Sequence, residues 1–435
     1  MAKRKALPAA PVESLIESLS HDGRGLTHVN GKATFVQGAL SGERVRFRYT
    51  RCQRHHDEGE VIDIITPSPL RVAPKCAHFG VCGGCSLQHL AAEAQIELKQ
   101  GLLAEILERI GKVKPERWLA PLTGDPWGYR HKARLGVRYV AKKQRVLVGF
   151  RERGSSFIAD LQRCEVLHPS VGTQLVALAE LIGSLSIRSQ VAQLEMARDD
   201  HNTVLIVRVL APPTADDLQR LHAFAAHSGL VLYLQPGGLE TIAPLGAAVD
   251  LAYALPDYAV RIGFAPTDFT QVNFALNRRM VAQAMALLDP QSTDQVLDLF
   301  CGVGNFTLPL ARHAGAVVGI EGDARLVAQA RANAAHNGLN NVQFECADLY
   351  QQPSWGAQKF TKALIDPPRS GAWQVLDPLA ASGVQRLLYV SCYPTTLARD
   401  AEHLVHQLGY RLVAAGAMDL FAHTAHSEAM ALFER

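Results

Sequence analysis

The sequence predicts a multidomain chain: a small N-terminal β-barrel, an α+β middle and a C-terminal α/β domain with a parallel sheet. Three observations lead there. Short alternating runs broken by turn residues fill the N-terminal region; three cysteines crowd a glycine-rich loop after Pro67, Pro69 and Pro74; and apolar strands alternate with Ala- and Leu-rich helical stretches over the C-terminal part. The 435 residues, 48% hydrophobic and 20% charged, suffice for two to four domains with real cores.

The N-terminal domain is expected over residues 11–71. Runs such as Ala33 to Val36, Arg44 to Tyr49 and Gly59 to Ile65 alternate in polarity, and Asp22-Gly23, Asn30-Gly31 and Ser41-Gly42 punctuate them. About five short strands of this kind suit a barrel of the oligonucleotide-binding type. The α+β domain follows over 75–262, opening with a cysteine loop and a helical stretch from His89 to Ile110. The α/β domain is expected over 263–435. Its strands are Gln295 to Leu299, Ala316 to Ile320, Val342 to Glu345, Lys362 to Ile365 and Arg386 to Ser391.

Net charge is only +3, but the basic residues are concentrated. Arg44, Arg46, Arg48, Arg51 and Arg54 stand against one acid, and nine Lys or Arg lie between Asp125 and Arg153 against two acids. Two such stretches form the footprint expected of a phosphate backbone partner, although solvated strand faces give the same pattern. No apolar run reaches the ~18 residues of a membrane span. The basic stretch Met1 to Pro11 has no apolar segment behind it and reads as a short disordered tail, not a signal peptide. A cytoplasmic protein without a membrane partner is expected. Its clustered cysteines then argue for a metal or for catalysis rather than disulfides.

In the C-terminal domain, Val296 to Leu299 runs into Phe300-Cys301-Gly302-Val303-Gly304-Asn305 and then a helix. Glycine there lets the backbone approach a ligand closely. Glu321 sits at the tip of the second strand, where a carboxylate can hold both ribose hydroxyls of a nucleoside; Asp348 follows the third strand and can meet an adenine amino group; Asp366 follows the fourth. A dinucleotide fingerprint would need a further glycine near Phe306 or Thr307, and none is there. The expected ligand is therefore S-adenosylmethionine.

The fifth strand ends Tyr389-Val390-Ser391-Cys392, which sets a thiol at the carboxyl edge beside that pocket. A thiolate adding to C6 of uracil would turn C5 into an enolate carbon able to attack a methyl group. The C5 proton must then leave to a base, and Glu428 is the candidate, weighed against a plain surface carboxylate. The target base must be unstacked, because neither carbon is reachable within a helix.

Cys76, Cys82 and Cys85, with the remote Cys164, supply four thiols without the paired Cys-x2-Cys motifs common at zinc sites. A [4Fe-4S] cluster fits better than zinc, as a structural or RNA-contacting element rather than a radical centre.

Taken together, the chain resembles the RNA uracil-5-methyltransferase family, and within it the bacterial members that modify uracil 1939 of 23S ribosomal RNA. The N-terminal segment with Asp22-Gly23-Arg24-Gly25 is similar to the family's RNA-binding TRAM domain, and the four cysteines to its iron-sulfur ligands. The C-terminal domain resembles a Rossmann-like class I methyltransferase. Tyr129-Arg130-His131-Lys132-Ala133 and Gly149-Phe150-Arg151 resemble segments that face RNA, which implicates Arg130, Lys132, the adjoining Arg134, Phe150 and Arg151. Phe269-Thr270-Gln271-Val272-Asn273 resembles a motif whose Gln, here Gln271, contacts the cofactor. By the same resemblance Phe300, Gly302, Asn305, Glu321, Asp348 and Asp366 line the methyl-donor site, Cys392 is the nucleophile and Glu428 the base. Ala422 departs from the family, which usually has proline there, and this implies a looser loop before Glu428. Having both barrel and cysteine cluster separates the chain from relatives that modify tRNA or another ribosomal uracil. The rival readings are methylation of such a uridine, methylation of an exocyclic amine through Asp366-Pro367-Pro368, a redox or sulfur-transfer enzyme, and a non-catalytic ribosome-assembly factor. A monomer is expected.

Overall fold

The computed structural model describes residues 7–351, 355 and 358–435. Residues 1–6, most of the basic tail, lie outside them. The chain separates into two compact units. One reaches up to Leu98 and adds Arg151–Phe157 and Phe421–His426; the other holds Lys99–Phe150, Ile158–Leu420 and Ser427–Arg435.

The first unit is built on six strands: β1 (Val12–Leu15), β2 (Ser18–Leu19), β3 (Gly25–Val29), β4 (Lys32–Gln37), β5 (Arg44–Cys52) and β6 (Asp57–Thr66), in the order β1-β5-β6-β4-β3-β2. Asn30 and Gly31 both have positive φ, 51° and 77°, the turn that a two-residue hairpin between β3 and β4 requires. The Ser14 and Thr27 hydroxyls meet at 2.6 Å, which ties β1 to β3 although the two do not pair. Val45 and Phe47 point inward from β5 onto Ile16, Val36 and Ala39. The alternate positions Arg44, Arg46 and Arg48 are exposed, and each meets an acid on a neighbouring strand: Glu13 at 3.2 Å, Asp63 at 3.5 Å and Glu60 at 3.0 Å. Exposed pairs of this kind are worth under about 1 kcal/mol each, so the arginines can exchange partners for phosphate.

In the second unit β7 (Arg117–Trp118) precedes β8 (Lys132–Val140), β9 (Arg145–Gly149), β10 (Val191–Arg198), β11 (Thr203–Val209), β12 (Val231–Gln235) and β13 (Ala243–Pro244). The last six form one sheet, in the order β13-β12-β11-β10-β8-β9. The helix Ala215–Ser228 on this sheet is bounded by local chemistry: Thr214 and Asp217 form a reciprocal capping box, and Gly229 closes the last turn with φ 71°. A hairpin, β14 (Leu251–Leu255) and β15 (Val260–Phe264), leads to the helix Phe274–Leu288.

The larger sheet contains β16 (Gln295–Leu299), β17 (Ala316–Glu321), β18 (Val342–Cys346), β19 (Lys362–Ile365), β20 (Arg386–Ser391), β21 (Arg411–Met418) and β22 (Glu428–Glu434). Their order is β18-β17-β16-β19-β20-β22-β21-β7, parallel from β18 to β20. The five parallel strands stand where the sequence places them. β21 and β22 are an addition that local pattern did not reveal: β22 wedges antiparallel between β20 and β21. Val296, Leu297, Ala363, Leu388, Tyr389 and Leu432 are fully buried along the middle strands, as expected when helices cover both faces. The order reverses between β16 and β19, the kind of switch point at whose carboxyl edge ligands bind in open α/β sheets. Among the described residues no helix is long and apolar enough to cross a membrane.

Candidate active site

The chain after β16 turns sharply on three positive-φ residues, Phe300 (61°), Gly302 (53°) and Gly304 (96°). A side chain at Gly302 would meet nothing within 4 Å, so the glycine is required by its backbone angle and leaves open space beside it. Glu321, at the end of β17, accepts the Gly302 N–H on Oε2 (3.1 Å) and the Asp323 N–H on Oε1 (3.0 Å). Asp348 likewise fixes its own turn, accepting the Tyr350 N–H at 2.9 Å and the Gln351 amide at 2.9 Å. The Phe300 and Tyr350 rings lie 5.9 Å apart and form an aromatic wall. Deeper in, Asp298 accepts the Thr307 hydroxyl on Oδ2 at 2.5 Å, while its buried Oδ1 has no hydrogen-bond partner among the described residues. Burial pushes this carboxyl up to about 8. A glycine cradle, a ribose-reaching carboxylate and an unsatisfied buried oxygen fit a nucleoside ligand carrying a cationic amine.

The side chain of Asn305 is largely committed to structure. Its Oδ1 accepts from the Tyr253 hydroxyl and the Asn277 amide, both at 2.8 Å, and its Nδ2 donates to Asn277 Oδ1 at 3.0 Å. Its backbone is what remains to face a ligand. Sequence reasoning missed this lock, and also Asn333, whose buried amide donates to Gly263 O and Val303 O at 3.0 Å and accepts the Gly263 N–H at 2.9 Å. Asn333 thereby pins the glycine loop to β15. Gln271 is half-buried in the segment before the helix that Asn273 caps, and Val272 O in the same segment accepts the His131 N–H at 2.8 Å.

Sheet register brings the remaining groups together. Ser391 on β20 pairs with Ala429 on β22, so extending the antiparallel ladder by one residue sets Cys392 beside Glu428. Asp366 follows β19, whose Ile365 pairs with Tyr389. The charges confirm the proximity. Glu428 is pushed up to about 8, first by burial and then by Asp366, with Lys99 and Arg369 opposing. Cys392 is pushed up to about 12 by burial and by the Glu428 and Asp366 carboxylates, against Arg369. Burial alone raises Asp366 to about 7. Two carboxyls near neutrality beside a thiol, at a parallel sheet's carboxyl edge, form an arrangement of the kind that can move protons beside a nucleophile.

The cysteine loop belongs to the first unit. Cys76, Cys82 and Cys85 are half-buried; the Gly84 N–H donates to Cys82 Sγ at 3.4 Å, and Arg153 donates to Cys85 O at 2.7 Å. Burial raises the Cys82 thiol, and Cys76 adds to this. Cys164 lies in the second unit, where its N–H donates to Gly172 O at 2.8 Å. Among the described residues no three His, Cys, Asp or Glu side chains are gathered to hold a metal ion. The segment before Glu428 is held tightly despite Ala422: His423 O accepts the Ser86 and Leu87 N–H groups, both at 2.9 Å, and the Gln95 amide brackets the His423 backbone and ring.

The residues resembling RNA contacts differ in what they do. Arg130 stands 5.6 Å over the Phe150 ring, Arg151 is exposed, and Arg134 is exposed and paired with Glu195 at 3.1 Å. Lys132 is tied to backbone: its ammonium donates to Pro266 O at 3.0 Å and to Asp268 O, and burial lowers it to about 8.

A parallel sheet whose carboxyl edge carries a glycine loop, carboxylates and a half-buried thiol has the architecture of a class I transferase. Residues 251–349 and 353–435 match the family described as tRNA (Uracil-5-)-methyltransferase. The chain is 55% identical to a 23S rRNA (uracil(1939)-C(5))-methyltransferase RlmD of Alkalilimnicola ehrlichii, over 100% of this chain and 98% of that protein. It is 52% identical to that of Methylococcus capsulatus, over 100% and 99%. Among solved structures it is similar to the Pyrococcus abyssi tRNA (uracil-54, C5)-methyltransferase in complex with S-adenosyl-L-homocysteine, with TM-score 0.75 and 22% identity over 97% of this chain and 100% of that one. The chain belongs to the family of 23S rRNA (uracil(1939)-C(5))-methyltransferases.

Proposed function

We propose that this protein transfers the methyl group of S-adenosylmethionine to C5 of a uridine in 23S ribosomal RNA, uracil 1939 by its family membership. The observation that carries the reading is the cross-strand placement of Cys392 beside Glu428, with Asp366 in the same field. Cys392 Sγ forms a bond to C6 of the flipped-out base, and Arg369 favours the thiolate that does so. When bound, S-adenosylmethionine would supply the electrophilic methyl carbon for C5, its S–CH3 bond breaking to leave S-adenosylhomocysteine. Glu428 then takes the C5 proton; the C5–H electrons form the C5=C6 bond, the Sγ–C6 bond breaks, and Cys392 leaves as thiolate. Gln271, Phe300, Gly302, Asn305, Glu321, Asp348 and Asp366 hold the methyl donor, Asn305 chiefly through its backbone.

Residues 11–71 act as a TRAM-type RNA-binding barrel, a reading supported by the β1 to β3 tie and the arginine face of β5. Residues 75–262 form the central part and 263–435 the transferase. Arg130, Arg134, Phe150 and Arg151 face the RNA, while Lys132 braces the loop before Gln271. Cys76, Cys82, Cys85 and Cys164 ligate a [4Fe-4S] cluster, a role suited to soft thiolates with an N–H donor and a guanidinium close by. The protein works as a cytoplasmic monomer.

The test is adduct trapping. With S-adenosylmethionine and a ribosomal RNA fragment carrying 5-fluorouridine, fluorine cannot leave from C5 as a proton does. A covalent band on a denaturing gel is expected for wild type and not for Cys392→Ala. Wild-type protein that binds the RNA without forming the band would sink the C5 mechanism.

A further inference from the structure

A lysine with 1% exposure needs a reason, because an ammonium taken out of water costs several kcal/mol unless it is paired. Lys99, on the helix Ala92–Arg109, donates to Asp419 Oδ1 at 2.5 Å. Asp419 directly follows Met418, which pairs with Glu428 across β21 and β22. The ion pair is therefore one residue away from the base on the adjoining strand. Gln100, the next helix residue, accepts the Ala417 N–H at 2.7 Å, and the Asp419 N–H donates to Leu122 O at 2.8 Å, so the end of β21 is fixed from both sides.

We propose that Lys99, held by Asp419, is the positioning residue whose charge favours the ionised form of Glu428 against burial and Asp366, so that the base can take the substrate's C5 proton. This rests on the reading of Glu428 as the base. The charged groups around Glu428 are Asp366 and Arg369 after β19, Cys392 after β20 and Lys99 on the helix, with Asp419 facing Lys99. The carboxylate of Asp366 and burial both disfavour a second negative charge; Lys99 and Arg369 are the cations that counter them. Arg369 also serves Cys392, whereas Asp419 and Glu428 are the charges Lys99 meets. An ion pair contributes nothing to catalysis if it only cements β21. Its effect on the base is what separates the two roles.

The experiment is single-turnover release of tritium from ribosomal RNA fragments carrying [5-3H]uridine, with saturating S-adenosylmethionine, from about pH 6 to 9. Lys99→Met, Lys99→Arg, Gln100→Ala and Glu428→Gln are compared with wild type. The acid limb of the profile is expected to move alkaline by about one pH unit in Lys99→Met, the size of a lost neighbouring charge. It stays in place in Lys99→Arg, which keeps the cation. Gln100→Ala loosens the same strand without a charge change and leaves the limb unmoved, whatever its effect on rate. A limb that stays put in Lys99→Met, or that moves equally in Gln100→Ala, overturns the proposal. Should Lys99→Met not fold, a limb displaced in Lys99→Arg as well refutes it. Glu428→Gln retaining the wild-type limb would instead remove the base assignment, and the proposal with it.

Discussion

Replacing Glu428 by glutamine should abolish turnover and, in the same step, stabilise the empty enzyme in a pH-dependent way. The carboxyl is 7% exposed and raised from an ordinary 4.5 to about 8. Between those values the folded protein keeps a proton that the unfolded chain has released. Folding stability therefore falls as pH rises through that window, and levels off above it. At 1.36 kcal/mol per unit, the wild type carries about 3 kcal/mol of this burden at pH 7 and about 5 kcal/mol above pH 8. Glutamine carries none of it. Any cost of seating the amide, about 1 kcal/mol for an imperfect hydrogen bond, is independent of pH. Melting temperatures of the two proteins without ligands, measured from pH 4.5 to 8.5, should start close together and diverge as pH rises, the variant being the higher. Parallel curves would mean that Glu428 ionises freely in the folded state, and the account of a strained, buried base would fail. A stabilising substitution at the expense of activity is the behaviour expected of a functional site.

Three further outcomes follow from contacts already described. Asn333→Ala removes three hydrogen bonds that pin the glycine loop, so it should cost about 1–3 kcal/mol of stability by denaturant titration and weaken S-adenosylmethionine binding by calorimetry. Gly302→Val forces a β-branched side chain to φ 53° in otherwise open space; donor affinity should drop at least tenfold, and stability by about 1–3 kcal/mol from the backbone strain. Arg134→Ala should weaken RNA binding and reduce the salt slope by about one, whereas Lys132→Met should act mainly on stability, because its ammonium is bound to carbonyls of its own chain. Equal salt slopes in the two variants would contradict that division.

Local pattern told a good deal. β16, β19 and β20 begin and end at the residues that the apolar runs mark, and Asn30-Gly31 marks a real hairpin turn. Strand-tip logic placed Glu321, Asp366 and Cys392 at one edge because parallel strands must all end on the same side. What could not be read depends on pairing over long sequence separation. Nothing near Glu428 says that its strand lies between β20 and β21, yet that insertion is what carries a carboxylate to the thiol. Lys99 reads as an ordinary charged helix residue until the helix packs, and Asn333 as a surface amide. Lys132 carries the opposite lesson: a residue within a basic run can spend its charge on the backbone.

The depressed acidity of Cys392 has a consequence for the enzyme at rest. A thiol held near 12 is thiolate in only about one molecule in a hundred thousand at pH 7. Oxidants and alkylating metabolites react with thiolates, so the unoccupied site offers them almost nothing to attack. The same burial and carboxylates that raise Cys392 thus act as a chemical safety catch. With Cys392 as the nucleophile proposed above, such masking would protect the thiol between turnovers.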